Sequence, residues 1–145
     1  MNLTRRTFVA GSAAVLAGTL TACTAERTAD YYRGANGGDG ALIGGSMPTK
    51  NLERWSRDGE NLKSLLEDLG YVVELQFADN KVEQQNSQIQ TMINKSPAVI
   101  VVGSIDGSAL GPVLETASGL GVKVIAYDRL IRDTKAVDYY VTFDN

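Results

Sequence analysis

The sequence predicts an α/β fold with a doubly wound, mainly parallel sheet. From Ala41 onward, short apolar stretches typical of strands alternate with stretches in which apolar residues recur at helical spacing. The resulting order is βαβαβαβ followed by a further β. Strands that alternate with helices pair in parallel, because each helix carries the chain back to the same end of the sheet, and helices cover both faces.

The first βαβ unit begins with residues 42–47, whose apolar and small side chains predict a short strand. A helix follows, and we expect it to have one apolar face and to end at Gly70. The members of that face are Trp55, Leu62, Leu65, Leu66 and Leu69. Residues 71–77 alternate apolar and polar side chains, which predicts the second strand.

A second helix is predicted over residues 82–93, where Val, Ile, Met and Ile recur at helical spacing. Pro97 is expected to stop this helix, because proline lacks the amide hydrogen that a helix interior needs. Residues 98–103 form a continuous apolar run, which is typical of a strand that is covered on both faces.

The third helix is expected to take its capping residues from the Asp-Gly-Ser segment 106–108 and to close at Gly119 or Gly121. Its apolar face consists of Leu110, Val113, Leu114, Ala117 and Leu120. Residues 122–127 predict another buried strand. Residues 139–143 predict a last strand, which the chain reaches without an obvious helix between.

Polar or charged side chains follow every predicted strand. In open parallel sheets, ligands bind at the carboxyl ends of the strands. A single polar group there would be an ordinary turn or cap, but five groups on one edge predict a polar binding cleft. The groups are residues 47–50, 78–79, 104–106, 128–129 and 144–145.

The chemistry of these groups suits an uncharged ligand with many hydroxyls. Carboxylates accept hydrogen bonds from hydroxyl groups, whereas Arg129 and Asn145 donate to ring and hydroxyl oxygens. Trp55 has two readings that the sequence leaves open. Its ring offers a flat face to the apolar side of a pyranose, or it is a core residue of the first helix.

The amino-terminal part of the chain predicts export and a lipid anchor. Residues 1–22 carry paired arginines that resemble a twin-arginine motif, followed by an apolar run too short to span a bilayer comfortably. Cys23 is the only cysteine and closes a Leu-Thr-Ala-Cys segment that resembles a lipobox, which predicts an acylated amino terminus. Glycine-rich residues 23–41 predict a tether. The expected location is therefore across the cytoplasmic membrane, as a periplasmic or cell-surface lipoprotein.

Composition argues against several classes of function. The net charge is -3, and without residues 1–22 and their two arginines 12 basic residues face 17 acidic ones, so attraction to nucleic acid is not expected. Histidine is absent, which removes the commonest general base and metal ligand, and neither metal nor cofactor is expected. An enzyme on a flavodoxin-like sheet would need an activated nucleophile, a phosphate loop or a metal cluster, and the sequence shows none. A DNA-binding regulator would need a helix-turn-helix where the export signal stands.

Five groups of residues carry a resemblance to a known family: residues 47–50 with 53–55, 84–94, 104–107, 124–131 and 142–145. Read together, they resemble the periplasmic sugar-binding proteins of ABC transporters, above all the xylose-binding and multiple-monosaccharide-binding receptors. The resemblance runs through residues 42–145, and the Ala-Tyr-Asp-Arg and Phe-Asp-Asn segments are specific at their spacing.

The resemblance implies that residues 42–145 are the N-terminal lobe of a type I periplasmic binding protein, which encloses a monosaccharide between two lobes and docks on a membrane permease. By similarity the strongest ligand contacts are Arg54, Asp128, Arg129 and Asp144, with Lys50, Trp55, Asp106 and Asn145 behind them. Relatives continue into a second lobe, so we expect this chain to be a fragment that binds xylose, glucose or galactose weakly at best. A receptor for sensing or chemotaxis without transport is the alternative, and an enzyme is a less favoured one.

Overall fold

The computed structural model describes residues 40–143. Within that range the chain forms β1 (Leu42–Met47), α1 (Glu53–Asp68), β2 (Val72–Phe77), α2 (Val82–Ile93), β3 (Val99–Val102), α3 (Gly111–Gly119), β4 (Lys123–Tyr127) and β5 (Tyr139–Val141). The order of strands and helices is the predicted one. The predicted export signal, the predicted lipidation site Cys23 and nearly all of the predicted tether lie outside the described residues. Within residues 40–143, no helix has the length and apolar character that a membrane span requires.

The five strands form one sheet in the order β2-β1-β3-β4-β5. All four neighbouring pairs are parallel, which confirms the predicted doubly wound α/β fold. The chain leaves β1 toward β2 on one side and then crosses over to β3 on the other side. The carboxyl ends of β1 and β3 therefore form the point where the winding changes direction, which is where open sheets of this class bind ligands.

Helices cover the sheet on both faces. On one face, Leu62 and Leu66 of α1 pack against Ile43, Val73 and Val101 of the sheet. On the other face, α2 and α3 build the larger apolar cluster, which includes Ile89, Met92, Ile100, Leu114 and Val124. Beside α1 the sheet leaves an apolar groove of about 370 Å³. The core thus has two layers, one on each face of the sheet.

The buried face of α1 differs from the prediction. Leu65 and Leu69 are 64% and 60% exposed. The stripe that meets the sheet starts at Trp55 and continues through Gly59, Leu62 and Leu66, and successive members are three or four residues apart. A side chain at position 59 would crowd the core, since a Cβ there would lie 3.2 Å from the Phe77 ring. The leucine-rich end of the helix therefore contributes only half of its leucines to the core.

The local signals at two helix ends differ from the predicted ones, although α2 spans the predicted residues. Helix α2 ends at Ile93, four residues before Pro97, because Ser96 adopts a positive φ of 54° and its amide bonds the carbonyl of Ile93. Helix α3 has no side-chain cap and begins with Gly111 and a proline in its first turn. The predicted capping residues lie earlier, in a turn where Asp106 accepts from the Ser108 amide at 2.8 Å. At the other end Gly121 has a φ of 81° and ends the helix, as one of the two predicted glycines.

Candidate functional site

A buried glutamine organises the carboxyl ends of β1 and β3. Gln85 of α2 is fully buried, and its amide nitrogen donates to the Ser46 hydroxyl at 3.2 Å and to the Gly103 carbonyl at 2.9 Å. Its amide oxygen accepts from the backbone N–H of Ile105 at 3.0 Å. Strand β1, strand β3 and the loop after β3 are thereby joined at one point. The sequence offered only a polar residue within an amphipathic helix, so this role was not predicted.

Arg54 and Asp128 form an ion pair at this edge. Arg54 lies in the first turn of α1, and Asp128 follows β4 directly. Asp128 has a φ of 65°, a left-handed conformation that aspartate tolerates better than most residues. Its amide donates to the carbonyl of Val141 at 2.7 Å, which extends the β4–β5 pairing into the loop. Backbone conformation and strand pairing together aim this carboxylate at α1.

Arg129 reaches the loop that follows β3. Its Nη1 donates to the carbonyl of Ser104 at 3.0 Å and to that of Ile105 at 3.5 Å. These bonds tie the end of β4 to the end of β3 across the edge of the sheet. The Ser104 hydroxyl is buried and finds no hydrogen-bond partner among the described residues.

Trp55 lies beneath both arginines. The Cζ atoms of Arg54 and Arg129 are 5.1 and 5.2 Å from its ring, within the range of a cation–π contact. The residue is only 2% exposed, and a Cβ on Gly103 would come within 3.0 Å of its Cζ3 atom. Its burial favours the core reading of the two that the sequence left open. Both guanidinium groups therefore pack against the Trp55 ring.

Two other predicted ligand residues, Lys50 and Asp106, stand apart from this group. The Lys50 ammonium lies 5.7 Å from the centroid of the Phe77 ring and 3.7 Å from the Glu60 carboxylate, and its side chain is 66% exposed. Asp106 is exposed and accepts from Ser108 within its own loop. Asp144 and Asn145 lie outside the described residues. Two of the eight predicted residues therefore lie outside this group, and two more lie beyond the described range.

Three residues of the group were not predicted. Asp58 lies one turn after Arg54 on α1, and its Oδ2 is 3.8 Å from the Nε of Arg54. The Tyr127 hydroxyl donates to the same oxygen at 3.2 Å. The Phe143 ring lies 4.9 Å from the Arg54 Cζ and packs edge-on against Tyr127. The i, i+4 spacing of an arginine and an aspartate was the sequence signal for Asp58.

The electrostatics of this group centre on Tyr127. Burial raises the pKa of its phenol, and the negative charge of Asp58 and their hydrogen bond raise it further. Tyr127 therefore stays protonated and donates throughout the neutral range. Within residues 40–143, no three Asp, Glu, His or Cys side chains are grouped closely enough to hold a metal ion.

Residues 43–145 match the family model described as a periplasmic binding protein domain. The chain belongs to the periplasmic binding protein family. The parallel sheet agrees with this assignment, and the fold matches solved structures of type I periplasmic binding proteins.

Similar proteins of this periplasmic binding family are named for sugars. The chain is 44% identical over 126 residues to the multiple sugar-binding periplasmic receptor ChvE of Rhizobium radiobacter, covering 87% of this chain and 36% of the receptor. It is 40% identical over 103 residues to the D-xylose-binding periplasmic protein of Escherichia coli strain K12, covering 71% of this chain and 31% of that protein.

A solved structure shares both sequence and fold. It is an ABC transporter solute binding protein from Clostridium phytofermentans with bound beta-D-glucose, and it is 51% identical with a TM-score of 0.70. The match covers 71% of this chain and 32% of that one. The chain thus spans about a third of the length of the relatives that it matches.

Proposed function

We propose that residues 42–145 form the N-terminal wall of a monosaccharide site in a substrate-binding lipoprotein of an ABC sugar importer. The observation that carries the proposal is the group of Arg54, Asp128 and Arg129 at the carboxyl edge of a parallel sheet. Relatives named for sugars, and a 51% identical structure with bound glucose, supply the ligand class. Xylose, glucose and galactose are the candidate ligands.

The group has the polarity that an uncharged sugar needs. A guanidinium offers five N–H donors in a plane, and a carboxylate accepts from up to two hydroxyls, so adjacent hydroxyls on a ring find both partners. Because Arg54 and Asp128 are paired with each other, the group presents donors and acceptors with little net charge. Bonds to charged partners contribute about 1.5 to 3 kcal/mol each, against about 1 for neutral pairs.

The apolar groove beside α1 is a poor candidate for the same ligand. Its lining consists of Ile, Leu, Val, Ala and Tyr side chains from α1 and the face of the sheet. A sugar placed there would lose its hydrogen bonds to water without replacement, at a cost of roughly 1 to 3 kcal/mol for each hydroxyl. The chemistry of hydroxyls therefore favours the sheet edge over this groove.

The chain before the lobe and a membrane permease complete the proposed role. Residues 1–22 act as the export signal, Cys23 carries the acyl anchor, and residues 23–41 tether the lobe to the membrane. The protein then works outside the cytoplasmic membrane and delivers its sugar to a permease. No chemistry is performed on the ligand.

The chain contains one tryptophan, and it lies at the proposed site. We expect xylose, glucose and galactose to change the fluorescence of Trp55 saturably as the arginines above it bind hydroxyls. The described group forms one open wall, so each bond replaces one to water and the expected dissociation constants are millimolar.

Two variants make the experiment specific. Arg129→Ala removes a cation that contacts the Trp55 ring and should weaken binding about tenfold. Arg132→Ala removes an exposed cation three residues later and should change nothing. Equal losses in both variants, or no saturable response to any of the three sugars, would contradict the proposed function.

A further inference from the structure

We propose that Asp58 and Tyr127 are positioning residues of this site, which fix the orientation of the Arg54 guanidinium. The expected effect on sugar binding rests on the proposed function, whereas the contacts among Arg54, Asp58 and Tyr127 do not depend on it. Neither residue belongs to the loops that follow the strands. Asp58 lies on α1 and Tyr127 is the last residue of β4.

Two carboxylates approach the Arg54 guanidinium. Asp128 accepts a hydrogen bond from Nη2, and the Oδ2 of Asp58 lies 3.8 Å from Nε. The ring centroids of Trp55 and Phe143 lie 5.1 and 4.9 Å from the Arg54 Cζ. These four contacts restrict the orientation of the guanidinium, while the side chain stays 41% exposed and keeps N–H groups available to a ligand.

The Asp58 carboxylate is itself positioned by a neighbouring side chain. Its side chain is 13% exposed, and the Tyr127 hydroxyl donates to the same Oδ2 atom that faces Arg54. Arg57 approaches the other oxygen at 4.0 Å, but its side chain is 64% exposed and contributes little. The bond from Tyr127 therefore determines where the Asp58 carboxylate lies. Because burial and Asp58 raise the pKa of Tyr127, the donor persists across the pH range in which the site works.

The competing reading is a purely structural bond between α1 and β4. Asp58→Asn separates the two readings, since asparagine keeps an acceptor for the Tyr127 hydroxyl and loses only the charge that faces Arg54. Glu67→Gln is the matched control, because Glu67 forms another i, i+4 ion pair on the same helix, with Lys63 at 3.9 Å.

The experiment follows the Arg54 Nε–H signal and the Tyr127 phenol by NMR in the complete 145-residue chain without sugar. We expect Asp58→Asn to raise the exchange rate of the Arg54 Nε–H with water by about two- to fivefold, because the negative charge 3.8 Å from Nε is lost. It should also lower the titration midpoint of Tyr127, while the melting temperature changes little. Glu67→Gln should leave both signals unchanged.

The sugar titration is then repeated with both variants. Weaker binding by several-fold in Asp58→Asn, with unchanged binding in Glu67→Gln, completes the positioning role. Unchanged Arg54 exchange in Asp58→Asn, or a lowered melting temperature with the Arg54 signal in place, would overturn the inference and leave a structural bond. If the Arg54 signal responds as expected but the unsubstituted chain binds no sugar, the proposed function fails while the positioning of Arg54 stands.

Discussion

The Arg54 guanidinium and the Asp128 carboxylate are paired across 74 positions of sequence. The pair joins the first turn of α1 to the residue that follows β4, so two elements that are not neighbours along the chain are held at one point. The Asp128 side chain is 14% exposed and that of Arg54 is 41% exposed. The cation thus remains open to a ligand while its partner is largely enclosed.

Because a charged partner is lost, we expect Asp128→Asn to weaken sugar binding at least about tenfold. The loss of stability should be small. Asparagine adopts positive φ readily, so the backbone at this position should be unchanged. The Trp55 fluorescence titration and a thermal melt measure the two effects. Asp128→Ala should in addition lower the melting temperature, because alanine tolerates this backbone poorly. Full affinity in Asp128→Asn would show that the charge of the Asp128 carboxylate does not contribute to sugar binding.

Gln85 should be important for stability rather than for ligand contact. Gln85→Met keeps the volume but leaves the Gly103 carbonyl, the Ile105 amide and the Ser46 hydroxyl without this partner. Each buried polar group left unsatisfied costs about 1 to 3 kcal/mol, so we expect a loss of about 3 kcal/mol or more in the free energy of unfolding. Urea denaturation measures it. The matched change Gln90→Met, at an exposed position of the same helix, should cost less than about 0.5 kcal/mol.

The sequence predicted the fold better than the site because strand and helix patterns are local. Each strand of the sheet was found from its own apolar run, and their parallel order followed from the alternation with helices. The residues after the strands were found in the same way, and Arg129 and Asp128 do meet α1. Tyr127 contacts Asp58 of α1 and Phe143 after β5, and no local pattern specifies contacts between residues so far apart in sequence. Lys50 is the opposite case. It follows β1 as predicted, but its ammonium group lies 3.7 Å from the Glu60 carboxylate and does not join the group.

The pairing of Lys123 with Asp138 should make stability depend on pH. The hydrogen bond from Lys123, followed by that from the Val124 amide, lowers the pKa of Asp138, and Asp138 raises the pKa of Lys123. A lowered carboxyl pKa stabilises the fold above the pKa of the unfolded chain, and this contribution disappears as the pH falls through the folded value. The raised lysine pKa contributes below its unfolded value and is lost as the pH rises through the folded one.

Asp138→Asn should therefore lower the melting temperature slightly near neutral pH, because the pair is largely exposed. The difference from the unsubstituted chain should vanish in acid. Thermal melts across the pH range test this, with Asp133→Asn, an exposed carboxylate on the same connection, as the control. A difference that persists below the depressed pKa of Asp138 would count against the ion pair.

Cys23→Ser should release the protein from membranes. Several acyl chains, at about 0.8 kcal/mol for each buried methylene, hold a protein durably on a bilayer, and serine cannot carry them in the same way. Fractionation of cells that express either form measures the change, with Thr21→Ser as the control within the same segment. An unmodified Cys23 thiol in the mature protein, found by mass spectrometry, would contradict the proposed anchor.

The most direct test of the account is to locate the bound sugar on the chain. Backbone amide signals of the 145-residue chain are followed by NMR during titration with D-glucose and D-xylose, a method that detects millimolar binding. We predict saturable shifts at Arg54, Trp55, Ile105 and Arg129, together with the indole N–H of Trp55. Shifts confined to the groove beside α1, at Leu62, Leu66 and Val99, would contradict the account, as would a spectrum that neither sugar changes.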